Sequence, residues 1–219
     1  MTIESISLVN LLPEAFSGQR ERHETSDVWL KENVVFSKGS TYLAASASGG
    51  GKSSLCSYIY GRRSDYEGRV LFNGTDIRTL KGSDWDAVRR YSLAWLPQEL
   101  GLFPTLTAIE NIMLKAVQTG YRSERQAREM LERLGLGSQA DRPVRLMSLG
   151  QCQRVAAVRA LCQPFDFLLL DEPVSHLDAE SNAALSALIA DEVRINGAGV
   201  IVTSVGNTPS IDIDFTLNL

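Results

Sequence analysis

Thr41-Tyr-Leu-Ala-Ala45, followed directly by Ser46-Ala-Ser-Gly-Gly-Gly51-Lys52-Ser53, decides the reading of this 219-residue chain. An apolar run ends, a glycine-rich turn follows, and Ser53-Ser54-Leu55 opens the next element. That order predicts a strand, a phosphate-binding loop and a helix. The backbone N–H groups of such a loop converge on phosphate oxygens, and the helix N-terminus adds a positive partial charge. Gly49, Gly50 and Gly51 let the backbone approach the phosphates without a Cβ in the way. Lys52 is placed to reach the β- and γ-phosphates of a nucleotide, and the Ser53 hydroxyl to ligate Mg²⁺. The first glycine of the usual pattern is Ser46 here.

Phe165-Asp-Phe-Leu-Leu-Leu170-Asp171-Glu172-Pro173 supplies the complementary half. A near-continuous apolar run reads as a buried parallel strand. Acids at its carboxyl end lie where open α/β sheets bind their ligands. Asp171 is placed to hold Mg²⁺, and Glu172 to polarise an attacking water.

Between the two lies Met147-Ser148-Leu149-Gly150-Gln151-Cys152-Gln153-Arg154. Here the chain resembles the nucleotide-binding subunit of an ATP-binding-cassette (ABC) transporter. The family signature is Leu-Ser-Gly-Gly-Gln, then a polar residue, Gln and Arg. The chain keeps Ser148, Gly150, Gln151, Gln153 and Arg154, and has Met147 and Leu149 at the two changed positions. Leu93-Ala-Trp-Leu-Pro97-Gln98, with Leu102-Phe103-Pro104 after it, resembles the glutamine loop. Ser175-His176-Leu177-Asp178 resembles the aspartate loop, and Gly68 to Ile77 the small antiparallel sheet that braces the nucleotide. The matches run from about residue 30 to 205 in family order.

The resemblance implies an α/β phosphate-loop NTPase core with a mainly parallel sheet, a small antiparallel β subdomain and a helical subdomain. It implies one nucleotide-binding domain over residues 1–219, with a helical lobe at about 99–160. ATP and Mg²⁺ are the implied ligands. Ser48, Gly49, Gly50, Gly51, Lys52, Ser53 and Ser54 would hold the phosphates in one protomer. Ser148, Gly150 and Gln151 would come from a mate in a head-to-tail dimer, either a homodimer or a heterodimer with a second nucleotide-binding subunit. Ser53, Gln98 and Asp171 would meet the metal, and Gln98 and Glu172 the attacking water. Phe16 either stacks on adenine or packs in the core. The implied activity is ATP hydrolysis that drives membrane-spanning subunits, with the chain peripheral on the inner face of the cell membrane. Lipoprotein-release and macrolide-export systems are the nearest type by length and by the polar insert before Trp29.

One departure bears on turnover. After Gly199-Val-Ile-Val-Thr203 the family has a histidine that contacts the γ-phosphate, and this chain has Ser204. A serine hydrogen-bonds but carries no positive charge. Loss of one preorganised donor costs about 10²–10³ in rate in well-studied cases. The only histidines are His23 and His176, and neither follows that strand.

Composition agrees. Hydrophobic residues make up 44%, enough for a full core. No stretch approaches the roughly 18 apolar residues of a membrane span, and the start lacks a secretory pattern. Both point to a cytoplasmic chain whose transport role needs separate membrane subunits. The chain stops soon after its core, so no regulatory C-terminal domain is expected. Three cysteines make no disulfide framework; Cys56 and Cys162 read as core packing. A net charge of −4 disfavours a nucleic-acid surface. Residues 3–12 read as an edge strand, 17–27 as a polar loop, 28–36 as strand and turn, 123–134 as an amphipathic helix, 178–195 as another helix, and 207–219 as loop and strand. Two other functions stay open. One is an ATP-binding regulatory module with little turnover, which Ser46, Leu149 and Ser204 favour and Glu172 opposes. The other is a soluble cassette ATPase of DNA repair or translation, for which no coiled-coil insertion, zinc cysteines or tandem cassette is visible.

Overall fold

The computed structural model describes residues 1–46 and 49–219. Its elements in chain order are β1 (Ser5–Pro13), a 3₁₀ segment (Glu14–His23), β2 (Val34–Ser37), β3 (Thr41–Ala45), α1 (Lys52–Ile59), β4 (Tyr66–Phe72), β5 (Thr75–Asp76), α2 (Gly82–Tyr91) and β6 (Leu93–Leu96). Then follow α3 (Ala108–Thr119), α4 (Glu124–Arg133), α5 (Leu149–Leu161), β7 (Phe167–Asp171), α6 (Ala179–Asn196), β8 (Gly199–Ser204) and β9 (Phe215–Asn218).

The strands form two sheets. One is wholly parallel, in the order β6-β7-β8-β3-β9, and the other is antiparallel, in the order β2-β1-β4-β5. The apolar run of β7 is buried along its whole length, as a strand with two covered faces must be. Its side chains alternate between two cores. Leu168 and Leu170 join the cluster built with α3, α4, α5 and α6. Phe167 and Leu169 join the cluster beneath the antiparallel sheet and α1, with Trp29, Phe36, Tyr58 and Phe72. Cys56 and Cys162 are buried free thiols, as the sequence suggests.

Helix starts follow side-chain chemistry. Thr107, Ser123 and Ser148 each accept from the N3 backbone N–H of their helix, while Glu110, Gln126 and Gln151 reach back to the cap. On α4 the buried residues are Ala127, Met130 and Leu131, and the opposite face carries Arg125–Glu129 and Arg128–Glu124 pairs. That is the amphipathic helix expected there. α3, α4 and α5 pack on one another, and the group is tied to α6 by the Arg122–Glu192 and Arg133–Asp191 ion pairs, both at 2.6 Å.

Three expectations need correction. The first strand is Ser5–Pro13 and is not an edge: β2 pairs with one side of it and β4 with the other. Only a residue without a Cβ fits opposite its bulge, because a Cβ on Gly68 would fall 2.3 Å from the Asn10 carbonyl oxygen. The polar stretch from residue 17 is mostly 3₁₀ helix, kinked at Gln19, rather than loop. Residues 28–33 hold no strand; Val28 and Trp29 are nevertheless fully buried, and only Val34–Ser37 pairs. Among the described residues no helix is long and apolar enough to cross a membrane.

Candidate nucleotide site

Topology assembles the site before any side chain is considered. β6, β7, β8 and β3 are consecutive neighbours in the parallel sheet. Their carboxyl ends carry, in turn, Gln98, Asp171 with Glu172, Ser204, and the glycine-rich loop. In register, Asp171 faces Thr203 and Ala45 faces Ser204. Ligands of open α/β sheets bind outside these ends.

Gly49 and Gly51 both adopt φ of 88°, and α1 starts at Lys52. A Cβ on Gly51 would lie 2.8 Å from the Trp29 ring, so this position admits only glycine. Ser48, an expected phosphate contact, lies outside the described residues. The Lys52 side chain is 5% exposed, and its ammonium donates to the Ser46 carbonyl at 2.9 Å, with the Ser46 hydroxyl at 3.4 Å. Burial pushes the ammonium below the ordinary lysine value, and the charges of Glu172 and Asp171 pull against that shift. A cleft of about 290 Å³ runs from Phe16 past Gly49, Gly51, Lys52, Ser53 and Ser54 to Gln98 and Glu172. The Ser53 hydroxyl donates to Gln98 Oε1 at 3.3 Å, and the Ser54 hydroxyl accepts from Arg63 at 3.0 Å.

Asp171 is 2% exposed and accepts a 2.6 Å hydrogen bond from the Thr203 hydroxyl. Glu172 sits at φ of 51°, the left-handed region, which costs a non-glycine residue and turns the chain sharply at the sheet edge. Its backbone is held on both sides. The Glu172 N–H donates to the Thr203 carbonyl at 3.0 Å, and its carbonyl accepts from Gln153 Nε2 at 2.9 Å and Ser175 Oγ at 3.1 Å. The carboxylate therefore projects into the cleft, with Gln98 Nε2 at 3.5 Å.

Ser148, Gly150 and Gln151 do not border that cleft in the same chain. Ser148 and Gln151 close the cap of α5, and a Cβ on Gly150 would fall 2.7 Å from the His176 carbonyl. Ser204 does share a smaller cleft of about 160 Å³ with Glu172 and Ser175. Its hydroxyl, however, donates to the Asn207 carbonyl at 2.8 Å and accepts from the Gly206 N–H at 3.1 Å. It closes its own turn at the border of that cleft. His176 is exposed and is anchored through its backbone N–H to Gln153 Oε1.

The sequence reading missed Trp29, whose indole N–H donates to the Gly50 carbonyl at 3.1 Å, and the supporting contacts of Thr203, Gln153 and Arg63. Gln153 was legible as a signature residue but not as the clamp on Glu172. No spacing signal links Trp29 to a loop so far along the chain.

The oxygen set fits a magnesium ion. Ser53, Gln98 and Asp171 border one cleft of about 250 Å³ and offer hydroxyl, amide and carboxylate oxygens. Mg²⁺ takes one or two such ligands and fills the rest of its shell with water and phosphate oxygens. Among the described residues no three His, Cys, Asp or Glu side chains gather into a denser metal cage.

A phosphate loop, a strand-ending acid pair and a helix-capping Ser-x-Gly-Gln run define a nucleotide-binding cassette. The sequence matches the ABC transporter family over residues 32–175, and the chain belongs to that family. It is 32% identical over 198 residues to the ABC transporter ATP-binding protein YtrE of Bacillus subtilis (strain 168), covering 89% of this chain and 86% of that protein. It is 33% identical over 188 residues to the lipoprotein-releasing system ATP-binding protein LolD of Syntrophotalea carbinolica, covering 84% and 81%. It is 33% identical over 193 residues to the macrolide export ATP-binding/permease protein MacB of Shewanella sp. (strain W3-18-1), covering 86% of this chain but 29% of that longer protein. Among solved structures, the dimeric structure of MJ0796, a bacterial ABC transporter cassette, aligns with a TM-score of 0.75 at 26% identity, covering 91% of this chain and 87% of that one.

Proposed function

We propose that this chain is the ATP-binding and ATP-hydrolysing subunit of a transporter whose membrane-spanning parts are separate chains. The observation that carries the reading is Glu172, held in a left-handed turn with its carboxylate entering the cleft that Lys52 borders. Residues 1–219 act as one nucleotide-binding domain with a helical lobe at about 99–160. The N–H groups of the glycine loop and the Lys52 ammonium bind the phosphates. Ser53, Gln98 and Asp171 would hold Mg²⁺, which when bound draws charge from the phosphate oxygens. Glu172 accepts the proton of the attacking water, and Gln98 orients that water. The mate's Ser148, Gly150 and Gln151 complete the site from across a head-to-tail dimer. YtrE and LolD, named as ATP-binding proteins of transport systems, support this class. The chain works peripherally, on the inner face of the cell membrane.

Turnover in the isolated subunit is low, because Ser204 spends its hydroxyl in its own turn where the family places a charged donor. Steady-state phosphate release tests this. Ser204→His should raise the basal rate by about tenfold, roughly 1.4 kcal/mol of recovered stabilisation. The cleft of about 160 Å³ beside Glu172 gives the ring room. A wild-type rate typical of the family, unchanged by the histidine, overturns the impaired-site reading and leaves the ATPase reading standing.

A groove that adjoins the Ser53, Gln98 and Asp171 cleft at Trp95 and Pro97 supports the membrane partner. Tyr60, Trp95, Phe103, Leu114, Lys115 and Arg159 line it, with a volume of about 270 Å³. Phe103 is 55% exposed, and Val117 on the same helix as Leu114 is 68% exposed. Lys115 donates only to the Arg89 carbonyl, and Arg159 only to the Leu100 and Gly101 carbonyls, so neither charge meets a carboxylate among the described residues. A membrane-subunit segment with apolar side chains and a carboxylate fits that surface. Lys115→Glu should leave the basal ATPase of the isolated chain unchanged and cut its co-purification with the membrane subunits by tenfold or more. Undiminished co-purification would place the contact elsewhere.

A further inference from the structure

The segment between β1 and β2 reaches the phosphate loop with three aromatic rings. Trp29 donates its indole N–H to the Gly50 carbonyl, and its ring lies against Gly51. Phe16 meets Trp29 edge to face, with centroids 6.3 Å apart and planes at 74°. The Phe16 ring also lies over Gly51, where a Cβ would stand 3.1 Å from it. His23 stacks on Phe16 with centroids 4.1 Å apart and planes only 14° from parallel. Phe16 borders the cleft of the phosphate loop and His23 does not. The imidazole thus stacks on one face of Phe16 without bordering the cleft itself.

A half-exposed phenylalanine on a surface segment loses rotamer freedom when a flat ligand stacks on it. A ring already packed against another ring has lost that freedom in advance, so stacking costs less. Offset-stacked aromatic pairs also gain from complementary quadrupoles. We propose that His23 is a positioning residue for the nucleotide base: it backs Phe16, and the base completes a three-ring stack on the cleft side. The proposal rests on the reading of Phe16 as the base-stacking residue, and it gives the 3₁₀ segment Glu14–His23 a task in nucleotide selection.

Titration calorimetry of the full chain with Mg-ATP and with inorganic tripolyphosphate tests this. Tripolyphosphate occupies the loop but has no base. His23→Ala should weaken Mg-ATP binding about three- to tenfold, the range of one aromatic contact, and leave tripolyphosphate binding unchanged. His23→Phe should restore ATP affinity, because it restores the ring. Phe16→Ala should weaken ATP at least as much as His23→Ala, again without touching tripolyphosphate. If Phe16→Ala leaves ATP affinity intact, Phe16 is not the stacking residue and the proposal falls with that reading. If Phe16→Ala weakens ATP while His23→Ala does not, Phe16 stands and the role of His23 alone is overturned. Equal losses for both ligands in His23→Ala would mean that the histidine acts on the phosphate loop through the fold, which also overturns it.

Discussion

Glu172→Gln will cut steady-state ATP hydrolysis by about 10²-fold or more and leave Mg-ATP affinity within about twofold. A positioned general base contributes roughly 10²–10⁴ in rate, and the amide keeps the size of the carboxylate while removing its basic oxygen. The contacts that aim this residue are backbone contacts: its N–H on the Thr203 carbonyl, and its carbonyl on Gln153 and Ser175. None depends on the carboxylate, so the turn at φ of 51° survives the substitution. The Gln98 amide meets the carboxylate at 3.5 Å, too long to be a strong constraint. Blocked hydrolysis should also trap the closed dimer, visible as a shift to twice the mass on a sizing column with Mg-ATP. Single-turnover assays separate the step from product release. A variant that hydrolyses at the wild-type rate would assign water activation to another group.

Much of this arrangement is readable from the chain because it rests on local patterns. The apolar run of β7 can only be a strand covered on both faces, and its terminal acids then have one place to be. The glycine loop before α1 is equally local, since Gly49 and Gly51 need positive φ and Lys52 follows at once. The capping box of α5 is spelled out by Ser148 and Gln151.

What escaped the sequence depends on contacts between distant segments. β1 reads as an edge because nothing in its alternation says that β4 will return to its second side. The 3₁₀ segment has no buried residue and hence no periodicity to betray it. Its Phe16 acquires meaning only when the fold lays that ring on Gly51. Ser204 is the instructive case. Its residue type is legible in the sequence, but only the structure shows the hydroxyl committed to Gly206 and Asn207. Clamps such as Gln153 on Glu172 are likewise tertiary, although both partners lie in recognisable motifs.

Lys52→Ala should weaken Mg-ATP binding by about 10- to 150-fold. Among the described residues that border the cleft, Lys52 is the only cation, while Glu172 borders the same cleft and repels phosphate. The ammonium donates to the Ser46 carbonyl at 2.9 Å, inside a site that disfavours its charge by burial. Phosphate oxygens offer that buried charge the opposite sign, so the contact is stronger than one made in water. Hydrogen bonds to charged groups are worth roughly 1.5–3 kcal/mol each, which sets the expected range. The alanine variant also removes the positive charge that acts on Asp171 and Glu172, which adds repulsion to the lost attraction. Lys52→Arg should not rescue, because a planar guanidinium on a longer reach cannot take the place of a compact ammonium that is 5% exposed. Equilibrium titration with fluorescent ATP measures the loss, and AMP competition supplies the control. AMP has no β- or γ-phosphate, so its weak binding should not change unless the loop itself has collapsed. Equal ATP affinities in wild type and Lys52→Ala would remove the phosphate loop from the site, and with it the reason for placing ATP there.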